Sequence, residues 1–129
     1  MSGALLLDAS NGDVDAVRAL LGTGAGVDAQ NADGWTALML ASMDGHVDVV
    51  HLLLGACADV NVQNADGDTA LILASRHNHL QAVSLLLEAR AGVDVRNADG
   101  DTALYTAASR GHLGVVRLLL AAGAFLSRF

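Results

Sequence analysis

The tetrapeptide Asn-Ala-Asp-Gly begins at residues 31, 64 and 97, a period of 33 residues. Each copy runs through one variable residue into Thr-Ala-Leu, giving matched stretches Asn31 to Leu38, Asn64 to Leu71 and Asn97 to Leu104. Other features keep the same step: Gly12, Gly45, Asn78 and Gly111; His46, His79 and His112; and leucine triplets at 52–54, 85–87 and 118–120. Features this different in chemistry stay in phase only when the unit is structural. A fixed period in this range is the signature of a stack of supersecondary units. The spacing divides the chain into four units, about 1–33, 34–66, 67–99 and 100–129, forming one domain over 1–129 with the first and last as caps.

Within a unit the pattern reads helix, turn, helix, loop. Thr36 suits an N-cap, and Ala37 to Ser42 are mostly good helix formers. Gly45 ends that helix, because glycine tolerates the left-handed conformation of such a stop; Asn78 replaces it in the next unit, and asparagine is the next best residue there. A second helix is expected from about His46 to Gly55, with Val49, Val50, Leu53 and Leu54 at helical spacing. Ala58 to Asp66 is too rich in Asp, Asn and Gly to continue it and reads as a hairpin-like loop ending in an Asp-Gly turn. Helices this short are not stable alone in water. Stacking buries their apolar sides, with Leu38, Ala41, Val50, Leu53 and Leu54 recurring at Leu71, Ala74, Val83, Leu86 and Leu87, and at Leu104, Ala107, Val116, Leu119 and Leu120.

Composition narrows the function. Hydrophobic residues make up 53% of the chain but aromatics only 3%, so the apolar content favours close-packed small elements over an aromatic-lined pocket. All 7 cations are arginine, against 14 Asp and Glu, for a net charge of -7. Such a surface repels phosphates and argues against nucleic acid and anionic membranes as partners. No apolar segment approaches the roughly 20 residues that span a bilayer. No basic residue precedes the run Ala4 to Leu7, so a secretory leader is not expected. Cys57, the single cysteine, suits a reducing compartment, cytoplasmic or nuclear.

The motifs that suggest chemistry fall short of it. Asn64-Ala65-Asp66-Gly67 resembles the middle of a calcium loop. That loop needs an oxygen ligand two residues earlier and an acid at its end, where this chain has Val62 and Leu73. His46, His79 and His112 would stand in successive units, about 8–10 Å apart, too far to share one zinc ion. They are expected to bond backbone groups at unit junctions. Nothing marks a nucleophile elbow or a phosphate-binding glycine loop. No catalytic activity, cofactor or metal is expected.

The repeating Gly-x-Thr-Ala-Leu and the stretch Gly45-His46-Val47-Asp48-Val49-Val50-His51-Leu52-Leu53-Leu54 resemble the ankyrin repeat family over essentially the whole chain. The resemblance implies an all-α solenoid of helix-turn-helix units joined by β-hairpin-like loops, and non-catalytic protein binding. Several residues depart from the family pattern. Its proline is Ala37, Ala70 and Ala103. Its histidine after leucine is Met39, Ile72 and Tyr105, which puts a bond to the threonine in question. Its glycine after the second helix is kept at Gly24 and Gly123 but is Cys57 and Arg90 between them. Asp8 falls where the other units bury alanine, so a first helix one residue shorter is expected.

By position, the resemblance implies contact residues on the hairpin tips and the exposed side of the first helix, which form a concave face. These are Asp33, Trp35, Met43 and Asp44, with Gln30 and Ala32; then Asp66, Asp68, Arg76 and His77, with Gln63; then Asp99, Asp101, Tyr105 and Arg110, with Arg96 and Ser109. Independently of the family, units two and three differ at Trp35/Asp68, Met43/Arg76 and Asp44/His77 while their apolar positions agree, as expected where packing does not dictate the residue. Trp35, the only tryptophan, reads as an exposed anchor or, alternatively, as a ring folded back over a neighbouring hairpin. A protein partner with basic and apolar patches is expected. A competing reading is a structural or self-associating segment of a larger protein, dimerising through the apolar C-terminal end at Phe125 to Phe129. Another is a binder engineered on this scaffold; near-identical loops fit it, while the missing proline and histidine and the scattered surface alanines favour natural drift.

Overall fold

The computed structural model describes residues 2–124. Eight helices follow in order: α1 (Ser2–Asn11), α2 (Val14–Gly22), α3 (Ala37–Asp44), α4 (Val47–Gly55), α5 (Ala70–Arg76), α6 (Leu80–Glu88), α7 (Ala103–Ser109) and α8 (Leu113–Ala121). There is no strand among the described residues. The odd-numbered helices pack in one row and the even-numbered in a second, each pair closed by its own short turn. The first row, α1, α3, α5 and α7, makes the closer contacts and is the one expected to line the inner, concave side.

Local chemistry sets the helix ends. Thr36, Thr69 and Thr102 are extended, and each hydroxyl accepts from the backbone N–H three residues on, at 3.2, 3.2 and 3.1 Å. This bond satisfies one of the donors a helix start leaves orphaned. The cap therefore forms without any histidine side chain at Met39, Ile72 or Tyr105. Helix α1 is not shortened. It runs through Asn11 in the register of α3, and Asp8 is half-buried where Ala41 is fully buried.

Two of the three recurring histidines, His46 and His112, tie units together. The ring Nε2 of His46 donates to the Ser10 carbonyl at 2.8 Å, and that of His112 to the Arg76 carbonyl at 3.0 Å. Each bond reaches back to the end of the preceding unit's first helix, as the sequence reading expected of a junction.

The buried spine differs from expectation on the Leu54 row and at Val116, which is half-buried. Leu38, Ala41, Leu53, Leu71, Ala74, Val83, Leu86, Leu104, Ala107 and Leu119 are buried, but Leu54 and Leu87 are only half-buried and Leu120 is 48% exposed. Val49, Ala82 and Val115 are buried in their place. Successive residues turn by about 100° around a helix, so the residue after Leu53 or Leu86 has already rotated toward the outer side.

Cys57, Asn78 and Arg90 have φ of 66°, 62° and 65°, the left-handed region otherwise taken here by glycine. Cys57 and Arg90 close the second helices of the two middle units. Replacing either with glycine should raise stability by about 0.5–1 kcal/mol, relief of left-handed strain outweighing the glycine's greater unfolded-state freedom. Urea midpoints of Cys57→Gly and Arg90→Gly at or below wild type would reject that strain.

Candidate functional site

Three hairpins project from the inner row, and their asparagines build them. Asn31, Asn64 and Asn97 each accept two backbone N–H bonds at 3.0 Å through Oδ1, from Asp33 and Trp35, from Asp66 and Asp68, and from Asp99 and Asp101. Side-chain oxygen thus holds the tip closed, and Asn-Ala-Asp-Gly is explained as a turn. Neighbouring tips are joined by Ala65 N–H to the Asp33 carbonyl and Ala98 N–H to the Asp66 carbonyl, both 2.9 Å. That approach leaves no room at Gly67, whose φ is +76° and where a Cβ would stand 2.7 Å from the Ala98 nitrogen. Gln30, Gln63 and Arg96 brace the tips from outside, each donating to the carbonyl four residues on, of Gly34, Gly67 and Gly100.

Between the second and third tips and helices α5 and α7 lies a cleft of about 510 Å³, lined among others by Asp66, Asp68, Arg76, Asp99, Asp101 and Arg110. Asp68 is 4% exposed, which corrects its expected place as an exposed tip residue. Its two oxygens accept from Arg76 Nη1 and Nη2 at 3.0 Å each, and Oδ1 also accepts from Asn97 Nδ2 at 3.0 Å. The carboxylate can be buried because three donors, one from the following hairpin, replace its water. Arg76 is therefore committed to Asp68 rather than presented freely. Asp66, Asp99 and Arg110 are exposed, and Asp101 is half-buried. With the internal pair neutral, Asp66 and Asp99 stand against Arg110 among the lining residues, and these exposed charges sum to net negative.

One unit earlier, Trp35 stands where Asp68 does and Met43 where Arg76 does. Trp35 is half-buried and packs against the core, as does Met43, so the indole is less open than the exposed-anchor reading had it. An indole is too large and apolar to remain in solvent beside that core. Asn64, 6% exposed, corresponds to Asn97, but its Nδ2 has no hydrogen-bond partner, since tryptophan replaces the carboxylate that Asp68 supplies to Asn97.

The remaining candidates are exposed: Asp33, Asp44, His77 and, at 38%, Tyr105. His77 sits beside His79, ring centroids 6.4 Å apart. Its pKa is lowered from 6.5 by partial desolvation, then by the positive charges of Arg76, His79 and Arg110, against an opposing pull from Asp44. The folded chain therefore binds this proton less readily than the unfolded one. The stability this group lends is full above about pH 6.5 and is lost as pH falls toward the lowered value.

The family of ankyrin repeats, described as three copies, matches residues 5–97 and again residues 48–128. The chain belongs to the ankyrin repeat family. Among curated proteins no sequence match is found.

Within this ankyrin stack the framework and the variable face are separable. Threonine caps, hairpin asparagines and the junction histidines His46 and His112 are spent on internal bonds, while the residue after each tip glycine and the residues ending the first helices differ from unit to unit. The roles of the three asparagines in closing their own hairpins, and of Asn97 in linking to the preceding one, were missed in the sequence, although their strict recurrence was the available signal. Among the described residues no three His, Cys, Asp or Glu side chains converge as a metal would require, and no helix is long and apolar enough to cross a membrane. Ankyrin repeats are generally protein-protein interaction modules and typically non-catalytic. The residues 125–129 invoked for C-terminal association lie outside the described ones.

Proposed function

We propose that this ankyrin domain is a non-catalytic module that binds a partner protein on its concave side, across the hairpin tips and the inner helices. The observation that carries the reading is the contrast at equivalent positions. Trp35/Met43 in one unit become Asp68/Arg76 in the next, although the surrounding framework is the same. The partner's complementary surface would combine basic and apolar patches, matching the tip aspartates and Trp35. The single exposed thiol, Cys57, supports a reducing compartment, cytoplasm or nucleus.

The test is affinity capture followed by titration of the captured partner. Trp35→Ala should weaken binding by about 2 kcal/mol, while Glu88→Ala and Arg117→Ala on the outer row should leave it unchanged. Because Trp35 packs on the core, stability must be measured alongside. Unchanged affinity in Trp35→Ala removes Trp35 from the site, and equal losses in the outer-row variants remove the concave face.

A second reading, self-association through the C-terminal end, draws on Leu113 at 63% and Leu120 at 48% exposure. Light scattering over a concentration series tests it, and a strictly monomeric species opposes it.

A further inference from the structure

Two neighbouring stations on the concave face occupy equivalent places in successive units but differ in chemistry. The first is Trp35 with Met43, apolar, half-buried, and next to an Asn64 Nδ2 that has nothing to donate to. The second is the cleft of about 510 Å³, large enough for a side chain to enter.

The sign of the cleft decides its occupant. An anion would need free guanidinium groups. Arg76 has both forks bound to Asp68, and Arg110 stands against Asp66 and Asp99 in the lining. A cation meets a net negative, partly desolvated surface and can share carboxylates from two hairpins. A guanidinium or ammonium on a long apolar stem fits such a cleft, its stem against the walls and its charge at the tips.

The spacing of the stations then limits how they can be occupied together. Packed helices lie about 8–10 Å apart, and an extended segment advances about 3.3 Å per residue, so one unit corresponds to about three residues of a strand-like ligand. We propose that the concave face reads an extended peptide segment carrying an apolar side chain and, about three residues away, an arginine or lysine. The apolar side chain packs on Trp35 and Met43 and the cation enters the cleft. This rests on the concave-face reading above and adds to it the chemistry and spacing of the ligand.

A library of random dodecapeptides displayed on phage, selected against the intact chain, tests it. Trp35, the only tryptophan, reports on the first station by its own fluorescence. The expected result is enrichment of an apolar residue and a basic residue at the stated spacing, in one orientation. Selected peptides should shift Trp35 emission. Replacing their arginine by citrulline, which keeps shape but removes charge, should weaken binding about tenfold, as should Asp66→Asn/Asp99→Asn in the protein. Peptides that shift Trp35 emission but lack a basic residue, or bind equally well as citrulline forms, overturn the inference and leave the concave-face reading standing. Peptides that bind without affecting Trp35, and indifferent to Asp66→Asn/Asp99→Asn, count against both. Selection that yields nothing above background overturns the peptide inference alone, since a folded partner remains open to the capture experiment.

Discussion

Truncating Leu86 to alanine should cost about 2–5 kcal/mol, a large share of the roughly 5–15 kcal/mol that holds a domain folded. Leu86 is fully buried in α6, between α4 on one side and α8 on the other. Because each unit contacts only its neighbours, a side chain in the middle of the row serves two junctions at once, and its loss weakens both. No neighbour is placed to collapse into the space. The facing positions are themselves close-packed Val, Leu and Ala on separate helices, and moving one opens a gap behind it. The expected readout is a fall of about 10 °C in the thermal midpoint by circular dichroism at constant ionic strength. Leu120→Ala is the control: that residue is 48% exposed, so a much smaller fall is expected. A shift of only a degree or two for Leu86→Ala would remove it from the core.

The comparison of Leu86 with Leu87 shows how far the sequence can be read. The period, the threonine caps, the helix stops and the loops all follow from rules local to a few residues, and the structure agrees on each. Which flank of a helix faces the next row depends on how two short helices lean together, and a leucine triplet does not encode that. The same limit applies at Asp68. Its sequence neighbours are those of an exposed turn, and only contact with Arg76, eight residues on, and Asn97, in the following hairpin, accounts for its burial. Trp35 was legible as the odd residue of its column, but the sequence left open whether it stands exposed or folds back; the structure has it half-buried against the core. Asp8 shows the opposite case, where the strict period held and the departure from it was only chemical.

Asp68→Ala should be the most damaging change among the polar residues, at about 2–4 kcal/mol, because it removes the acceptor shared by two donors and leaves both without a partner. Arg76 keeps a side chain 24% exposed, so water recovers part of the loss. Asn97 Nδ2, facing the former carboxylate, recovers less. The chain itself supplies the comparison. In the preceding unit the same pair of positions holds Trp35 and Met43, so an apolar pair is compatible with this junction at the expense of one orphaned amide, on Asn64. It follows that Asp68→Trp combined with Arg76→Met should be less destabilising than Asp68→Ala alone, since no charge is then left unpaired. A double-mutant cycle in urea measures the coupling directly. Asp68→Ala within about 0.5 kcal/mol of wild type would show the pair to be an ordinary surface contact. The outcome also governs how binding data are interpreted. If Asp68 holds the cleft together, its removal weakens any ligand there without Asp68 being a contact. Asp66 and Asp99, exposed and outside that network, are the positions at which lost affinity would report on recognition itself.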